Sequence, residues 1–442
     1  MEHILSRDIT TVSKMIQNKK LSPFELTEYL LKEIEDKNKT YHAYITVDKE
    51  QALKDAKEAE QEIMKGNYKC PLHGIPISIK DNIHVRGTRL TNGSIIHSET
   101  KSAKNASLVR QLRSHNSIIV GKTNMDEFAN DVSGMNKHYG VIKNPVKDNH
   151  TVGGSSGGSA VSVASNLAFA SIGTDTAGSV RIPASCCGIF GLKPTYNMIP
   201  MDGITPLSNS LDHAGIFAKS LEDLATIFQT LAPGKETLEN SLLQYPNKLT
   251  IGYFSDYSKD DDNTVQQNMK NMLAFYVNEG IKIKNIKTNF LEMLMETHLT
   301  LCAVESYFFH QEFLEIHEHL YDKMNSDFFK SGRNIPQSKY FNALQTKEMI
   351  EAELQKLFTE IDLIVTPTLS ILPPTMDFHK KDWKTTLNNM IKYTYPFNMS
   401  GLPALSIPYT ETENGLPVGF QLISNKYNEM LLFQFGDWLM NR

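Results

Sequence analysis

The sequence predicts a large mixed α/β domain carrying a helical insert, on three observations. Strand-like apolar runs lie near both ends, at Pro76–Lys80 and Ser117–Gly121 and again at Asp362–Thr366, Ala404–Pro408 and Pro417–Ile423. The stretch from about Leu221 to Gln355 is polar, with helical texture. The 442 residues are too many for one small core. Strands from both ends that share one sheet around a helical middle make one domain, not separate modules. Its parts are a helical N-terminal segment (1–65), a core segment (70–220), a variable helical region (221–355) and a C-terminal return to the core (356–442).

Ser22-Pro23-Phe24-Glu25 is a helix start: Ser22 caps, Pro23 suits the first helical position and Glu25 completes a capping box. The helix that follows places Leu26, Tyr29, Leu30 and Ile34 on one face. A second, polar helix covers Lys49–Met64. Beyond Cys70 the texture changes, with strands at Pro76–Lys80 and Ser117–Gly121 around a helical stretch, Ser107–Arg113. Thr151–Thr195 is dense in Gly, Ser, Ala and Thr, and reads as a small-residue helix leading into a buried strand, where backbones approach closely. Ala404–Pro408 and Pro417–Ile423 flank a polar loop, Tyr409–Leu416, and read as a hairpin.

Composition excludes several classes of function. With 40% hydrophobic and 21% charged residues the chain is not disordered as a whole. A net charge of −5 gives no global field for gripping nucleic acid or an anionic membrane. Cys70, Cys186, Cys187 and Cys302 form neither a disulfide framework nor a zinc pattern, so a reducing, cytoplasmic setting is expected. The N-terminus shows no export signal and no run reaches the length of a membrane span.

The chemistry concentrates on Lys80, at the end of an apolar strand, and on two serine sites: Ser155-Ser156 between glycine pairs, and Ser179 in GTDTAGS. A serine hydroxyl is a weak nucleophile until a neighbouring base takes its proton. Small residues around Ser179 leave successive N–H groups to face an oxyanion, each worth about 10²–10³ in rate. Lysine can be the base if its pKa falls from about 10.4 to near 7, at about 4.6 kcal/mol, which burial among Ile75, Ile77 and Ile79 can supply. Glycine–serine stretches also form plain turns, and lysines are also solvated cations, so spacing alone leaves both readings open. A phosphate loop is disfavoured: GGSSGG lacks a following GK[ST], and Asn116 stands where the GKT at Gly121–Thr123 needs a glycine.

The motifs GIPISIKDNIHVRG (Gly74–Gly87), GKTNMDEFA (Gly121–Ala129), GGSSGGSA (Gly153–Ala160), GTDTAGSVRIPAS (Gly173–Ser185), CGIFGLKPT (Cys187–Thr195), SLDHAG (Ser210–Gly215) and the late NMSGLPALSIP with LPVGFQLI resemble the amidase signature family. The resemblance implies a central mixed β-sheet covered by helices on both faces, and a Ser–Ser–Lys triad. Ser179 then corresponds to the nucleophile, Ser155 to the bridging serine behind a cis peptide, and Lys80 to the neutral base. Thr176, Ala177, Gly178 and Ser179 correspond to the oxyanion N–H donors, and Asp175 and Arg181 to loop supports. It implies a small-molecule amide substrate and no metal, cofactor, nucleic acid or membrane contact, and leaves room for a homodimer.

The strongest local likeness is to the A chain of glutamyl-tRNA(Gln) amidotransferase, which releases ammonia from glutamine beside partner subunits. Two of its glutamine-holding positions differ here. Its aspartate, seven residues before the Asn that Asn398 resembles, is Ile391, and its arginine resembles Lys347. A zwitterion needs both charges met, so a stand-alone amidase is expected over a glutamine-hydrolysing component of a glutamyl-tRNA(Gln) or aspartyl-tRNA(Asn) amidotransferase. An inactive binding protein is the third reading, and the presence of all three triad residues opposes it. Elsewhere His310, His317 and His319 read as a solvated helix, since their spacing does not stack on one face. Asp260-Asp261-Asp262-Asn263 reads as a helix cap, not a calcium loop. Cys186 and Cys187 read as buried packing.

Overall fold

The computed structural model describes residues 1–232, 249–287, 291, 294–378 and 382–442. They form a single α/β domain built on one eleven-stranded mixed sheet flanked by helices, in the order β1-β3-β2-β6-β8-β7-β12-β13-β11-β9-β10. The strands are β1 (Tyr44–Val47), β2 (Pro76–Lys80), β3 (Ile118–Thr123), β6 (Ala170–Asp175), β7 (Phe190–Lys193), β8 (His213–Ala218), β9 (Thr250–Tyr253), β10 (Lys282–Asn285), β11 (Leu363–Pro367), β12 (Ala404–Glu411) and β13 (Pro417–Ile423). A two-stranded ribbon, β4 (Met135–Asn136) with β5 (Gly140–Val141), stands apart.

The N-terminal helix starts where expected, with Ser22 Oγ accepting the Glu25 N–H and the helix Pro23–Tyr41 burying Leu26, Leu30 and Ile34. The capping box does not close: among the described residues the Glu25 carboxylate makes no bond to the Ser22 N–H. The helix Lys49–Met64 and strand β2 fall on their expected bounds, and β3 runs on through Lys122 and Thr123. The late hairpin forms too, with β12 and β13 antiparallel across a bulge between Pro408 and Thr410. Asp262 caps the helix after it by accepting the Thr264 N–H.

Other expectations need correction. The first 65 residues are not all helical, because β1 pairs antiparallel with β3 at the sheet edge. The middle is not purely helical either: β9 and β10 extend the sheet in parallel from β11. The part of that middle at 233–248 lies outside the described residues. His310 is not solvated. It is fully buried, stacked on Phe329 at 4.2 Å, and its Nδ1 bonds Tyr321 Oη at 3.0 Å. Among the described residues no group of three His, Cys, Asp or Glu side chains could hold a metal ion, and no helix is long and apolar enough to cross a membrane. All four cysteines are unpaired.

The site is positioned by β2 and β6, parallel neighbours in register at Ile77–Ala170 and Ile79–Ile172. Their carboxyl ends therefore deliver Lys80 and Thr174-Asp175 side by side. Strands buried on both faces in this way read as continuous apolar runs, as PISIK does.

Candidate active site

Lys80 Nζ lies 2.8 Å from Ser155 Oγ and 2.8 Å from Thr174 Oγ1. Thr174 Oγ1 also accepts from Asn82 Nδ2 at 3.2 Å, which fixes the hydroxyl beside the amine. Lys80 and Ser155 are fully buried and Ser179 is 3% exposed. Burial pushes Lys80 down to about 7, against the pull of the Asp126, Asp212 and Asp175 carboxylates. Desolvation therefore wins over three acids, and a large share of the amine is neutral near pH 7.

Ser155 and Ser156 precede the helix Gly157–Ala164, and the Gly154–Ser155 peptide is cis. Gly154 is required by crowding: a Cβ there would collide with the Asp126 carboxylate. Asp126 N–H donates to Ser155 O at 3.2 Å, and Ser156 N–H donates to Ser179 O at 3.2 Å. The two serine segments are thus tied directly together.

The loop from Asp175 to Arg181 is held by a buried ionic knot. Arg181 Nη2 meets Asp175 Oδ1 at 2.9 Å and Arg181 Nε meets Oδ2 at 3.1 Å. The guanidinium also donates to Thr394 O at 2.9 Å, Gln421 Oε1 at 3.1 Å and Asn398 Oδ1 at 2.6 Å. Burial alone would raise the Asp175 carboxyl, yet Arg181 holds it well below the ordinary carboxylate range. Fully partnered, such a pair fixes geometry more than it adds stability.

Asp175 also narrows the oxyanion reading. Its Oδ1 accepts the Gly178 N–H at 2.9 Å, so that donor is engaged and the expectation for Gly178 is corrected. Thr176, Ala177 and Ser179 keep N–H groups with no acceptor among the described residues. Gly178 has φ +124°, and a Cβ there would strike the Thr394 side chain. Thr394 Oγ1 in turn donates to Ala177 O and to Ile391 O. Thr176 Oγ1 donates to Asp212 Oδ1 at 2.6 Å, and burial raises the Asp212 carboxyl to about 6.

Ala177 is the half-buried residue in an otherwise buried run. It belongs to an apolar cluster with Leu211, Cys302, Ile391 and Tyr395. Ile391 is 5% exposed, and Lys347 is half-buried over the Tyr196 ring at 5.6 Å. Sequence reasoning missed Thr174, Asn82, Asp126 and Asp212 as parts of the site. All four lie inside the quoted motifs, which was the available signal. Thr394 carried none.

Comparison with known proteins gives the family and the fold. The Amidase family model matches residues 25–433. The chain is 32% identical to the A chain of a glutamyl-tRNA(Gln) amidotransferase from Lachnospira eligens, over 93% of each protein. A solved amidase superposes with a TM-score of 0.91 at 28% identity, covering 99% of this chain and 100% of that one. The crystal structure of the corresponding glutamyl-tRNA(Gln) amidotransferase chain from Thermotoga maritima gives 0.81 at 26% identity, covering 98% and 94%.

Proposed function

This chain belongs to the amidase family, and on that premise we propose that it hydrolyses a carboxylic amide to carboxylate and ammonia or amine through an acyl-serine intermediate. The observation that carries the reading is the fully buried contact of Lys80 Nζ with Ser155 Oγ at 2.8 Å. Ser179 loses its proton to Ser155, which passes its own to Lys80, while Ser179 Oγ attacks the amide carbon. The N–H groups of Thr176, Ala177 and Ser179 receive the oxyanion. The proton then returns through Ser155 to the leaving nitrogen, so the amine departs neutral and Lys80 is restored. Water attacks the acyl-serine by the same route in reverse. Asp175 and Arg181 support the loop, and the scheme needs no metal or cofactor. Unpaired cysteines fit a reducing, cytoplasmic setting.

The substrate in this reading is a neutral amide. Ile391, in the apolar cluster with Ala177, offers no partner for an ammonium, and burying one there costs on the order of several kcal/mol. Even about 3 kcal/mol lowers kcat/KM about a hundredfold. Purified protein should therefore hydrolyse a neutral primary or aryl amide at least about a hundredfold better than glutamine, and Ile391→Asp should narrow that gap. Steady-state kinetics on glutamine and benzamide, side by side, check this.

The second reading, a glutamine-hydrolysing component of an amidotransferase working with partner subunits, is favoured by the 32% identity to proteins of that name. Glutamine outpacing every neutral amide would put it in place of the first.

A further inference from the structure

The oxyanion loop is connected to the helical middle by a chain of hydrogen bonds that the proposed chemistry does not use. Thr176 Oγ1 donates to Asp212 Oδ1 at 2.6 Å. Asp212 Oδ2 accepts the N–H groups of Leu207 at 2.9 Å and Ser208 at 3.1 Å. Ser208 Oγ donates to Glu305 Oε2 at 2.7 Å, and the Ser210 N–H donates to the same oxygen at 3.0 Å. Glu305 Oε1 accepts from Tyr340 Oη at 3.1 Å. Glu305 lies on the helix Leu294–His317 and Tyr340 on the helix Gln337–Leu357.

We propose that Glu305 is a positioning residue: its carboxylate anchors the 207–212 turn, which through Asp212 holds Thr176 and the oxyanion loop in place. The physical argument is one of partners. The turn's two charged anchors divide the work, with Asp212 taking N–H groups from inside and Glu305 taking Ser208 and Ser210 from the helical layer. Ser208 is fully buried while Glu305 and Ser210 are half-buried, so losing the carboxylate strands a buried hydroxyl and leaves the Ser210 N–H to find a new partner at the edge of the helical layer. Without Glu305 the turn loses two donors' acceptor at once. A loop displaced by about 1 Å costs about a hundredfold in rate, and a partial displacement about tenfold.

The inference rests on the amidase reading only for its kinetic arm. Glu305→Ala should lower kcat per active site at least tenfold on p-nitroacetanilide with KM within twofold, the sites being counted by fluorophosphonate titration. Glu305→Gln can accept from Ser208 and Ser210 and donate to Tyr340, so it should regain most of the loss. Hydrogen exchange read without substrate should show faster exchange at residues 174–180 in Glu305→Ala and protection restored in Glu305→Gln. This arm reports on Glu305 even if the protein turns over no amide. A lower melting temperature with unchanged kcat per titrated site and unchanged exchange at 174–180 would mean that Glu305 is a packing residue, and would overturn the proposal. A raised KM with unchanged kcat would make it a substrate contact and overturn it equally.

Discussion

Replacing Ser179 with alanine should lower kcat for amide hydrolysis by about 10⁴–10⁶, leaving at most the residual rate that oxyanion donors and binding supply alone. The neighbouring serine hydroxyls, Ser155 and Ser156, are fully buried and already engaged. Ser155 Oγ is already within 2.8 Å of Lys80, and Ser156 Oγ donates to Thr174 O at 3.0 Å. The fold should survive, since the change removes one oxygen and leaves the backbone bond from Ser156 N–H to Ser179 O intact. Circular dichroism and a melting curve close to those of the wild type, with turnover lost, are the expected pair of results. Turnover near the wild-type rate would remove Ser179 from the mechanism.

Lys80→Ala should be nearly as damaging, with kcat down by about 10³ or more, because the proton then has no acceptor. Neither histidine of the matched motifs is placed to substitute. His84 Nδ1 lies at Ser102 Oγ and His213 Nδ1 at Leu211 O, at 2.9 and 2.7 Å. The sign of the wild-type pH dependence follows from the base being the neutral amine. Activity should rise with pH through a midpoint near 7 and level off above it, as Lys80 gives up its proton. A midpoint near 10 would mean a solvated lysine. The same shift acts on stability. The unfolded chain holds the Lys80 proton up to about 10.4, the folded chain only up to about 7. Between these values the unfolded state binds more protons, so stability rises with pH across that window. Lys80→Met, which abolishes both effects, should melt no lower than wild type at pH 7 while being inactive.

Strands were legible in the sequence where they are apolar and bounded by turns, as at Pro76–Lys80 and Pro417–Ile423. The central strands β7 and β8, which begin within the quoted motifs, were not read as strands, and neither were the edges. β10 reads Lys-Ile-Lys-Asn and is mostly exposed, so it lacks the apolar run that marks a buried strand. β1 is four residues between two helices, too short for alternation to register. Lys80, Ser155 and Ser179 stood out as candidates beside small neighbours, but only the family resemblance gave them roles; the structure places Lys80 Nζ 2.8 Å from Ser155 Oγ. What holds them was less so. Arg181 reaches Thr394 and Gln421, 213 and 240 residues away, and no local pattern encodes such contacts. The engagement of the Gly178 N–H by Asp175 depends on loop geometry, which the string GTDTAGS does not reveal.

The central claim, a Ser179 nucleophile activated through Ser155 by a neutral Lys80, is tested most directly by covalent labelling. The protein is treated with a fluorophosphonate probe at pH 8 and the modified peptide is sequenced by mass spectrometry. A single adduct on Ser179 is expected, absent from Ser179→Ala and formed at least about a hundredfold more slowly by Lys80→Ala. An adduct on another residue, or amide turnover that continues after Ser179 is fully labelled, would contradict the account.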